Sequence, residues 1–261
     1  MLGIVRPIGR RLRALGRRFR RPLNIQKSWE ETPSSFQDMT SFLNWFDRAS
    51  SVAEAVERGR LDWSHRFATG TYFDGIRKGT ALEIGFGAGR LLVHAARDFE
   101  RVIGIDIHSN FAMSERFIAS QGIRNATLLH RDALLTVPDH SVDFVYSFIV
   151  FQHFDNAAEV DFYLSHILRL LAPGGIAQIY YGKKTGSGMA VTSPAQFQLR
   201  DCSLFIAPET MRDLVKQRFD VLDYRDTLAR DPTSGSGESV QAMVLFRPRQ
   251  SADALLDRSS D

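Results

Sequence analysis

Cysteine is almost absent from this 261-residue chain, which contains only Cys202. A single cysteine excludes a disulfide within the chain and any cysteine-rich metal site. The seven histidines do not pair with one another at the intervals typical of zinc ligands. Long apolar runs are missing too, since no window of about 18 uninterrupted apolar residues occurs. The sequence therefore predicts neither a metal centre nor a membrane-spanning helix.

Acidic residues are missing from residues 1–29, which hold eight Arg and one Lys. The rest of the chain holds 24 basic and 30 acidic side chains, so the overall charge of +3 hides a body with a net charge of −6. A body of that sign argues against nucleic-acid binding by the folded part. We expect a small-molecule or lipid substrate instead.

The basic N-terminus has the pattern of an amphipathic helix. Within residues 1–22, four apolar side chains share one helical face among the arginines: Ile8, Leu12, Leu15 and Phe19. This pattern favours peripheral contact with an anionic membrane surface. A targeting peptide and a solvated arm are the alternatives. Because the lone cysteine fits a reducing compartment, we expect a cytoplasmic protein that associates with membrane if this helix binds lipid.

The next segment is predicted to be helical and is dense in aromatic residues. Residues 23–37 are polar and resemble a linker, whereas residues 36–73 carry apolar side chains at helical spacing. The aromatic residues there indicate either a lid over a ligand or ordinary packing on a sheet. We predict an extension at 1–35, a domain at 36–248 with a helical lid at 36–75, and a disordered tail at 249–261.

From residue 81 onwards, buried strands and amphipathic helices alternate. The predicted strands are 81–86, 101–107, 126–132, 142–151 and 176–182, and the predicted helices are 89–98, 111–121, 157–171 and 208–217. We predict that the helix at 157–171 is stopped by Pro173-Gly174-Gly175 and that residues 183–194 form a mobile loop. Strands 219–227 and 240–248 have no helix between them and should pair antiparallel. This order predicts an α/β, Rossmann-like doubly wound sheet, mostly parallel, with a C-terminal antiparallel hairpin.

A glycine-rich turn joins the first strand to the first helix of this alternation. The sequence LEIGFGAGR places Gly85, Gly87 and Gly89 at alternate positions, with Glu83 two residues before the first glycine. Glycines there let the backbone turn sharply and approach a ligand closely. A tight connection without a ligand is the alternative. Arg90 stands where a dinucleotide fingerprint would have its third glycine, which counts against a nicotinamide site.

Asp106 strengthens the binding interpretation of this turn. It ends the second strand in Gly104-Ile105-Asp106, 21 residues after Gly85. A carboxylate at that position can accept hydrogen bonds from both hydroxyls of a ribose.

In these motifs the chain resembles a class I S-adenosylmethionine-dependent methyltransferase over about residues 70–248. The later runs VDFVYSFIVFQHF and LRLLAPGG resemble the fourth strand with its turn and the approach to the fifth strand. The resemblance implies that S-adenosyl-L-methionine is the cofactor. It implies that the loop from Glu83 to Gly89 contacts the methionine part and that Asp106 binds the ribose. The remaining cofactor residues that it implies are Ile107, Asp132, Ala133 and Ser147, of which Asp132 would meet the adenine amino group.

His153, just past the fourth strand, is the predicted catalytic residue. An ordinary imidazole can accept a proton from a hydroxyl at neutral pH, and the resemblance implies such a base at this turn in relatives that methylate hydroxyls. A purely structural histidine that holds the loop is the alternative. The function predicted is methylation, with oxygen the favoured acceptor atom, of a small molecule, sugar or lipid. A nicotinamide-dependent oxidoreductase and a non-catalytic cofactor-binding protein are the competing hypotheses.

Overall fold

The computed structural model describes residues 25–184, 187–191, 204–226 and 241–249. The predicted amphipathic helix at 1–22 and residues 250–261 of the predicted tail lie outside these ranges. Among the described residues, none of the helices combines the length and apolar character needed to cross a membrane.

Helices and strands alternate through the described chain. The helices are α1 (Ile25–Glu31), α2 (Met39–Asp47), α3 (Val52–Asp62), α4 (Thr71–Gly75), α5 (Leu92–Asp98), α6 (Phe111–Ser120), α7 (Ala157–Leu170) and α8 (Pro208–Lys216). The strands are β1 (Thr80–Ile84), β2 (Arg101–Asp106), β3 (Ala126–His130), β4 (Val142–Ser147), β5 (Leu171–Gly182), β6 (Met189–Val191), β7 (Leu204–Ile206), β8 (Phe219–Asp226) and β9 (Gln241–Pro248). Short 3-10 turns follow α1, β3 and β4, and a π-turn over Trp63–Phe67 follows α3.

The main sheet has seven strands in the order β3-β2-β1-β4-β5-β9-β8. The first five pair in parallel, and β9 runs antiparallel to both of its neighbours. The predicted mostly parallel sheet with a closing antiparallel strand pair is therefore confirmed. The central strands β1 and β4 are buried along their whole length, as expected for strands covered on both faces.

Side chains of the sheet divide between two apolar clusters. Ala81 of β1 and Phe144 of β4 belong to one cluster, which also contains side chains of α2, α3, α5 and α6. Leu82 of β1 and Val145 of β4 belong to the other, which contains side chains of α7 and α8. Alternate residues of a strand point to opposite faces, so helices cover both faces of the sheet.

Three predicted segments differ from the structure. Residues 25–35 form α1 and a 3-10 turn, although the polar composition indicated a linker. The helix predicted for 157–171 ends at Leu170, and Leu171 already begins β5. Pro173-Gly174-Gly175 therefore lies inside β5, at the point where the register with β4 shifts. An irregular strand of this kind can accommodate proline, which has no N–H group to donate.

The predicted loop at 183–194 also contains a strand. Met189–Val191 forms β6, which pairs antiparallel with β7 as a separate two-stranded sheet. The glycine and serine composition predicted a loop for these three residues, and the prediction was wrong because pairing with the distant segment β7 supplied their hydrogen bonds. The remaining predicted loop residues 185, 186 and 192–194 lie outside the described ranges.

The aromatic side chains of the N-terminal helices divide between the sheet and a cavity. Trp63 and Phe67 are buried against β4, with ring centroids 5.1 and 5.3 Å from Tyr146. Phe46 of α2, in contrast, lines a cavity at the edge of the sheet. Packing on the sheet therefore accounts for Trp63 and Phe67, whereas α1 and α2 contribute Trp29 and Phe46 to the cavity wall. The helical lid at 36–75 stays a prediction.

Candidate active site

A cavity lies at the C-terminal ends of β1, β2 and β4, and encloses about 930 Å³ of space, part of it open to solvent. This edge of an open parallel sheet is where ligands bind. Five of the residues predicted from the sequence for the cofactor line it: Glu83, Gly85, Gly87, Asp106 and Ile107. The predicted catalytic residue His153 also lines it.

The glycine turn needs its glycines for two reasons. Gly85 and Gly87 have φ angles of +76° and +54°, which L-residues with a side chain rarely adopt. A Cβ at Gly85 would stand 2.2 Å from Val150 Cγ2, and one at Gly87 would stand 2.8 Å from Phe46 Cδ1. The turn is therefore enclosed on one side by the residues after β4 and on another by α2.

Asp106 orders the backbone around itself. Its Oδ2 accepts a hydrogen bond from the Gly87 N–H at 2.7 Å, and its Oδ1 accepts one from the Ile107 N–H at 2.7 Å. Oδ1 also accepts a hydrogen bond from the His108 N–H at 3.3 Å. Each carboxylate oxygen has about two lone-pair positions, so Oδ2 can accept one further hydrogen bond from a ligand hydroxyl. Asp106 therefore joins the glycine turn to the end of β2 and still presents an acceptor to the cavity.

Glu83 is a buried carboxyl at the end of β1. Its side chain is 3% exposed, and its Oε2 accepts a hydrogen bond from the Tyr146 hydroxyl at 3.0 Å. Burial raises the pKa of Glu83 to about 8, despite the opposing effects of the Tyr146 hydrogen bond and the positive charge of Arg90. A group in this state favours a cationic ligand, since a nearby positive charge would stabilise its ionised form.

The raised pKa of Glu83 predicts how stability changes with pH. Between pH 4.5 and about 8 the folded protein keeps a proton on Glu83 that the unfolded chain has lost, so stability falls as pH rises. One such proton corresponds to about 1.4 kcal/mol of unfolding free energy per pH unit. We expect Glu83→Gln to remove this contribution while keeping the side-chain size.

Urea unfolding of wild type and Glu83→Gln at pH 5.5, 6.5 and 7.5 measures the effect. The difference in unfolding free energy between them should change by about 1.4 kcal/mol per pH unit in favour of the variant at higher pH. Glu115→Gln, on the exposed face of α6, serves as control and should follow the wild type. Parallel pH profiles for wild type and Glu83→Gln would show that Glu83 ionises normally.

The turn after β4 contains a strained residue. Ile149 has a φ angle of +64°, which costs a β-branched residue about 1–3 kcal/mol. Strain of this kind persists where surrounding contacts hold it and is concentrated at functional sites. Here it turns the chain so that Phe148, Ile149, Val150 and His153 all line the cavity. The His153 ring lies 4.8 Å, centroid to centroid, from the Trp29 ring of α1.

Arg90 connects the glycine turn to the N-terminal helices. Its Nε donates to Asp47 Oδ1 of α2 at 2.7 Å, and its Nη1 donates to Asp62 Oδ2 of α3 at 2.5 Å. The Arg90 side chain is only 13% exposed. The residue that replaces a fingerprint glycine therefore anchors α2 and α3 beside the cavity.

Four predicted cofactor residues do not line the cavity: Gly89, Asp132, Ala133 and Ser147. The Asp132 side chain is 88% exposed and pairs with His130 Nδ1 at 3.2 Å. The Ser147 hydroxyl is buried and donates to the Ile84 carbonyl at 2.9 Å, so it joins β4 to β1. A Cβ at Gly89 would meet Ile118 of α6, which makes Gly89 a packing position.

The structure instead brings Arg131 and Glu159 to the cavity wall. Arg131 Nη2 lies 2.8 Å from Glu159 Oε2, and the guanidinium lies 4.4 Å from the centroid of the Phe162 ring. Asn156 caps α7 by accepting hydrogen bonds from the Ala158 and Glu159 N–H groups, which places Glu159 in the first turn. Sequence reasoning selected the neighbouring Asp132 and missed Arg131, because no sequence spacing relates Arg131 to its ion-pair partner in α7.

Three further cavity residues come from the N-terminal helices: Trp29, Phe46 and Asp47. The aromatic density around Phe46 indicated a lid, whereas Trp29 lay in the predicted linker. Asp47 directly follows Trp45 and Phe46. A carboxylate beside an aromatic cluster is the sequence feature from which Asp47 could have been predicted as a site residue. Among the residues that the structure describes, no cluster of His, Cys, Asp and Glu could hold a metal ion.

Comparison with known proteins supports the class of enzyme. Residues 82–179 match the family model of a methyltransferase domain. No curated protein matches the chain significantly.

Solved structures share the fold at low identity. The 1,6-didemethyltoxoflavin N1-methyltransferase of Burkholderia thailandensis is 17% identical, with a TM-score of 0.57 over 84% of this chain and 88% of its own. The N-methyltransferase NodS of Bradyrhizobium japonicum is 14% identical, with a TM-score of 0.55 over 87% of this chain and 100% of its own. The cyclase SpnF is 18% identical, with a TM-score of 0.56 over 76% of this chain and 83% of its own. At these identities the similarity shows the fold alone.

The mixed seven-stranded sheet, with a glycine turn at its C-terminal edge, defines a Rossmann-like methyltransferase fold. The family match extends from β1 to β5 and includes the turn and Asp106. Residues 82–179 therefore carry a methyltransferase domain, which confirms the resemblance drawn from the sequence.

Proposed function

We propose that this protein methylates a hydroxyl group of a small, mainly apolar acceptor, with His153 as the general base. The observation that carries the proposal is that His153 lines the same cavity as Gly85, Gly87 and Asp106. A base and a cofactor site that share one cavity satisfy the first geometric requirement of methyl transfer.

The residues present fit the proposed cofactor, S-adenosyl-L-methionine. Gly85 and Gly87 line the cavity with backbone at positive φ and no side chain, and Asp106 Oδ2 presents an acceptor suited to a ribose hydroxyl. Glu83 places a carboxyl where a positive charge would be favoured. When bound, the cofactor supplies a methyl group on a sulfonium, which is already an activated leaving group. The protein therefore has to position the acceptor and remove its proton.

The proposed acceptor surface is largely aromatic and aliphatic. Trp29, Phe46, Phe148, Ile149 and Val150 all line the cavity. Such a wall favours a planar or aliphatic small molecule or a lipid over a bare sugar, since a sugar needs many hydrogen-bond partners. In the reaction we propose, the acceptor oxygen would bond to the methyl carbon as the carbon–sulfur bond breaks and S-adenosylhomocysteine leaves, while the His153 imidazole takes the hydroxyl proton.

Titration calorimetry with S-adenosylhomocysteine and with NADH tests the proposed cofactor. We expect binding of S-adenosylhomocysteine and none of NADH. The reverse result would support the nicotinamide-dependent oxidoreductase instead. Transfer of a labelled methyl group to compounds in a cell extract then separates an enzyme from a protein that only binds the cofactor.

Asp106→Ala should weaken S-adenosylhomocysteine binding at least tenfold while the protein remains folded. A hydrogen bond to a charged group contributes about 1.5–3 kcal/mol, and the loss of one such bond between Asp106 and a ribose hydroxyl already corresponds to at least tenfold in affinity. Calorimetry measures the affinity, and circular dichroism checks the fold. Asp132→Ala is the matched control, because the exposed Asp132 side chain does not line the cavity. Equal affinities for Asp106→Ala and wild type would contradict the role proposed for Asp106.

A further inference from the structure

Asp47 places a carboxylate at the edge of the cavity. Neither the cofactor contacts proposed above nor the proton transfer to His153 gives this carboxylate a role. It is the last residue of α2, which ends because Arg48 adopts a left-handed φ of +52°. Its side chain is 7% exposed and lines the cavity. The end of α2 therefore brings a buried acidic group to the ligand space.

The two oxygens of this carboxylate have different surroundings. Oδ1 accepts the hydrogen bond from Arg90 Nε, whereas Oδ2 is buried and has no hydrogen-bond partner. A buried acceptor without a partner is costly, and such groups are rare in folded proteins. A donor supplied by a ligand would satisfy Oδ2 without disturbing the contact with Arg90.

We propose that Asp47 Oδ2 accepts a hydrogen bond from the ammonium group of the methionine part of S-adenosylmethionine. The inference rests on the proposed function and adds a residue of the N-terminal helices to the cofactor site. Burial also raises the pKa of Asp47 to about 6, so a cationic partner would favour its ionised form.

The cofactor is the source of the cation because Asp47 adjoins the glycine turn. The preceding residue, Phe46, would be 2.8 Å from a Cβ at Gly87, and Arg90 directly follows the turn. Asp47 therefore belongs to the side of the cavity where the methionine part would lie. Binding there would also tie α2 to the glycine turn.

Asp47→Asn tests the inference, because it keeps the shape and an oxygen for Arg90 while it removes the charge. Calorimetry would compare S-adenosylhomocysteine with its analogue that lacks the amino group. We expect Asp47→Asn to weaken S-adenosylhomocysteine binding at least tenfold and to leave the affinity for the desamino analogue within about twofold of wild type.

Asp62→Asn is the matched control. Asp62 contacts the same guanidinium at Arg90 Nη1 but does not line the cavity. This variant should keep the wild-type preference for the ligand with the amino group. Thermal unfolding of both variants would show whether either one loses its fold.

Each other outcome overturns the inference in a distinguishable way. If Asp47→Asn weakened the binding of both ligands equally, Asp47 would serve only to hold Arg90 and α2 in place. If the affinity for both ligands were unchanged but the KM for the methyl acceptor rose, the hydrogen-bond donor to Asp47 would belong to the methyl acceptor and not to the cofactor. If the wild type itself failed to bind S-adenosylhomocysteine, the proposed function would fail before Asp47 is considered.

Discussion

His153→Ala is expected to lower turnover by about 10²–10⁴-fold and to leave the affinity for S-adenosylhomocysteine nearly unchanged. The loss is expected because a hydroxyl is a poor nucleophile until its proton is removed, and His153 is the proposed acceptor of that proton. Cofactor affinity should persist because the glycine turn, Glu83 and Asp106 remain in place. Single-turnover methyl transfer at saturating cofactor measures the chemical step, and calorimetry measures binding.

His153→Gln separates a base from a residue that only packs. Gln retains much of the side-chain volume beside Trp29, whose ring is 4.8 Å from that of His153, but cannot accept a proton at neutral pH. If His153 is the base, Gln and Ala should be similarly slow. Recovery of most of the turnover in His153→Gln would show that His153 positions the loop after β4. Retention of more than about a tenth of wild-type turnover by His153→Ala would lead to the same conclusion, since loss of a general base costs more.

Gly87→Val is expected to abolish cofactor binding in a protein that still folds. Gly87 has a φ of +54°, and a Cβ there would stand 2.8 Å from Phe46 Cδ1. Valine is branched at Cβ and is strongly disfavoured at positive φ, so the turn must shift or Phe46 must move. Either movement disturbs the N–H that Gly87 donates to Asp106. Loss of S-adenosylhomocysteine binding in calorimetry is the measurement.

Gly122→Val provides the control for backbone strain alone. Gly122 has a φ of +77°, and a Cβ there would meet nothing within 4 Å. Both variants should lose stability by about 1–2 kcal/mol because of the left-handed backbone. Only Gly87→Val should lose the ligand. Normal binding by Gly87→Val would show that the glycine turn is a connection without a role in binding.

The part of the site that could be predicted lies on consecutive residues at strand ends. Gly85, Gly87 and Asp106 are recognisable because a tight turn and a strand end impose local requirements on residue type. All three line the cavity, and so does His153, which follows β4 directly. Asp132 fitted the same reasoning but lies on the exposed side of a 3-10 turn. Arg131, one residue earlier, lines the cavity instead.

The residues that could not be predicted are joined by contacts between distant segments. In the sequence, Arg90 was singled out only because it stands where a dinucleotide fingerprint has a glycine. In the structure it pairs with Asp47 and Asp62, which lie in two helices far earlier in the chain. Trp29 was assigned to a linker because its neighbours are polar. Its ring contacts with His153 and Phe46 exist only in the folded protein.

The sequence by itself determined the fold class, the order along the chain of the main-sheet strands and the helices between them, and the glycine turn with Asp106. These features follow from hydrophobic periodicity and from the residue types that tight turns require, and both are local properties of the chain. Only the tertiary structure decided which side chains of α1, α2 and α7 reach the cavity, how β9 is inserted between β5 and β8, and how β6 finds β7. Those features depend on packing between segments that are far apart in sequence, and periodicity contains no information about which buried faces meet.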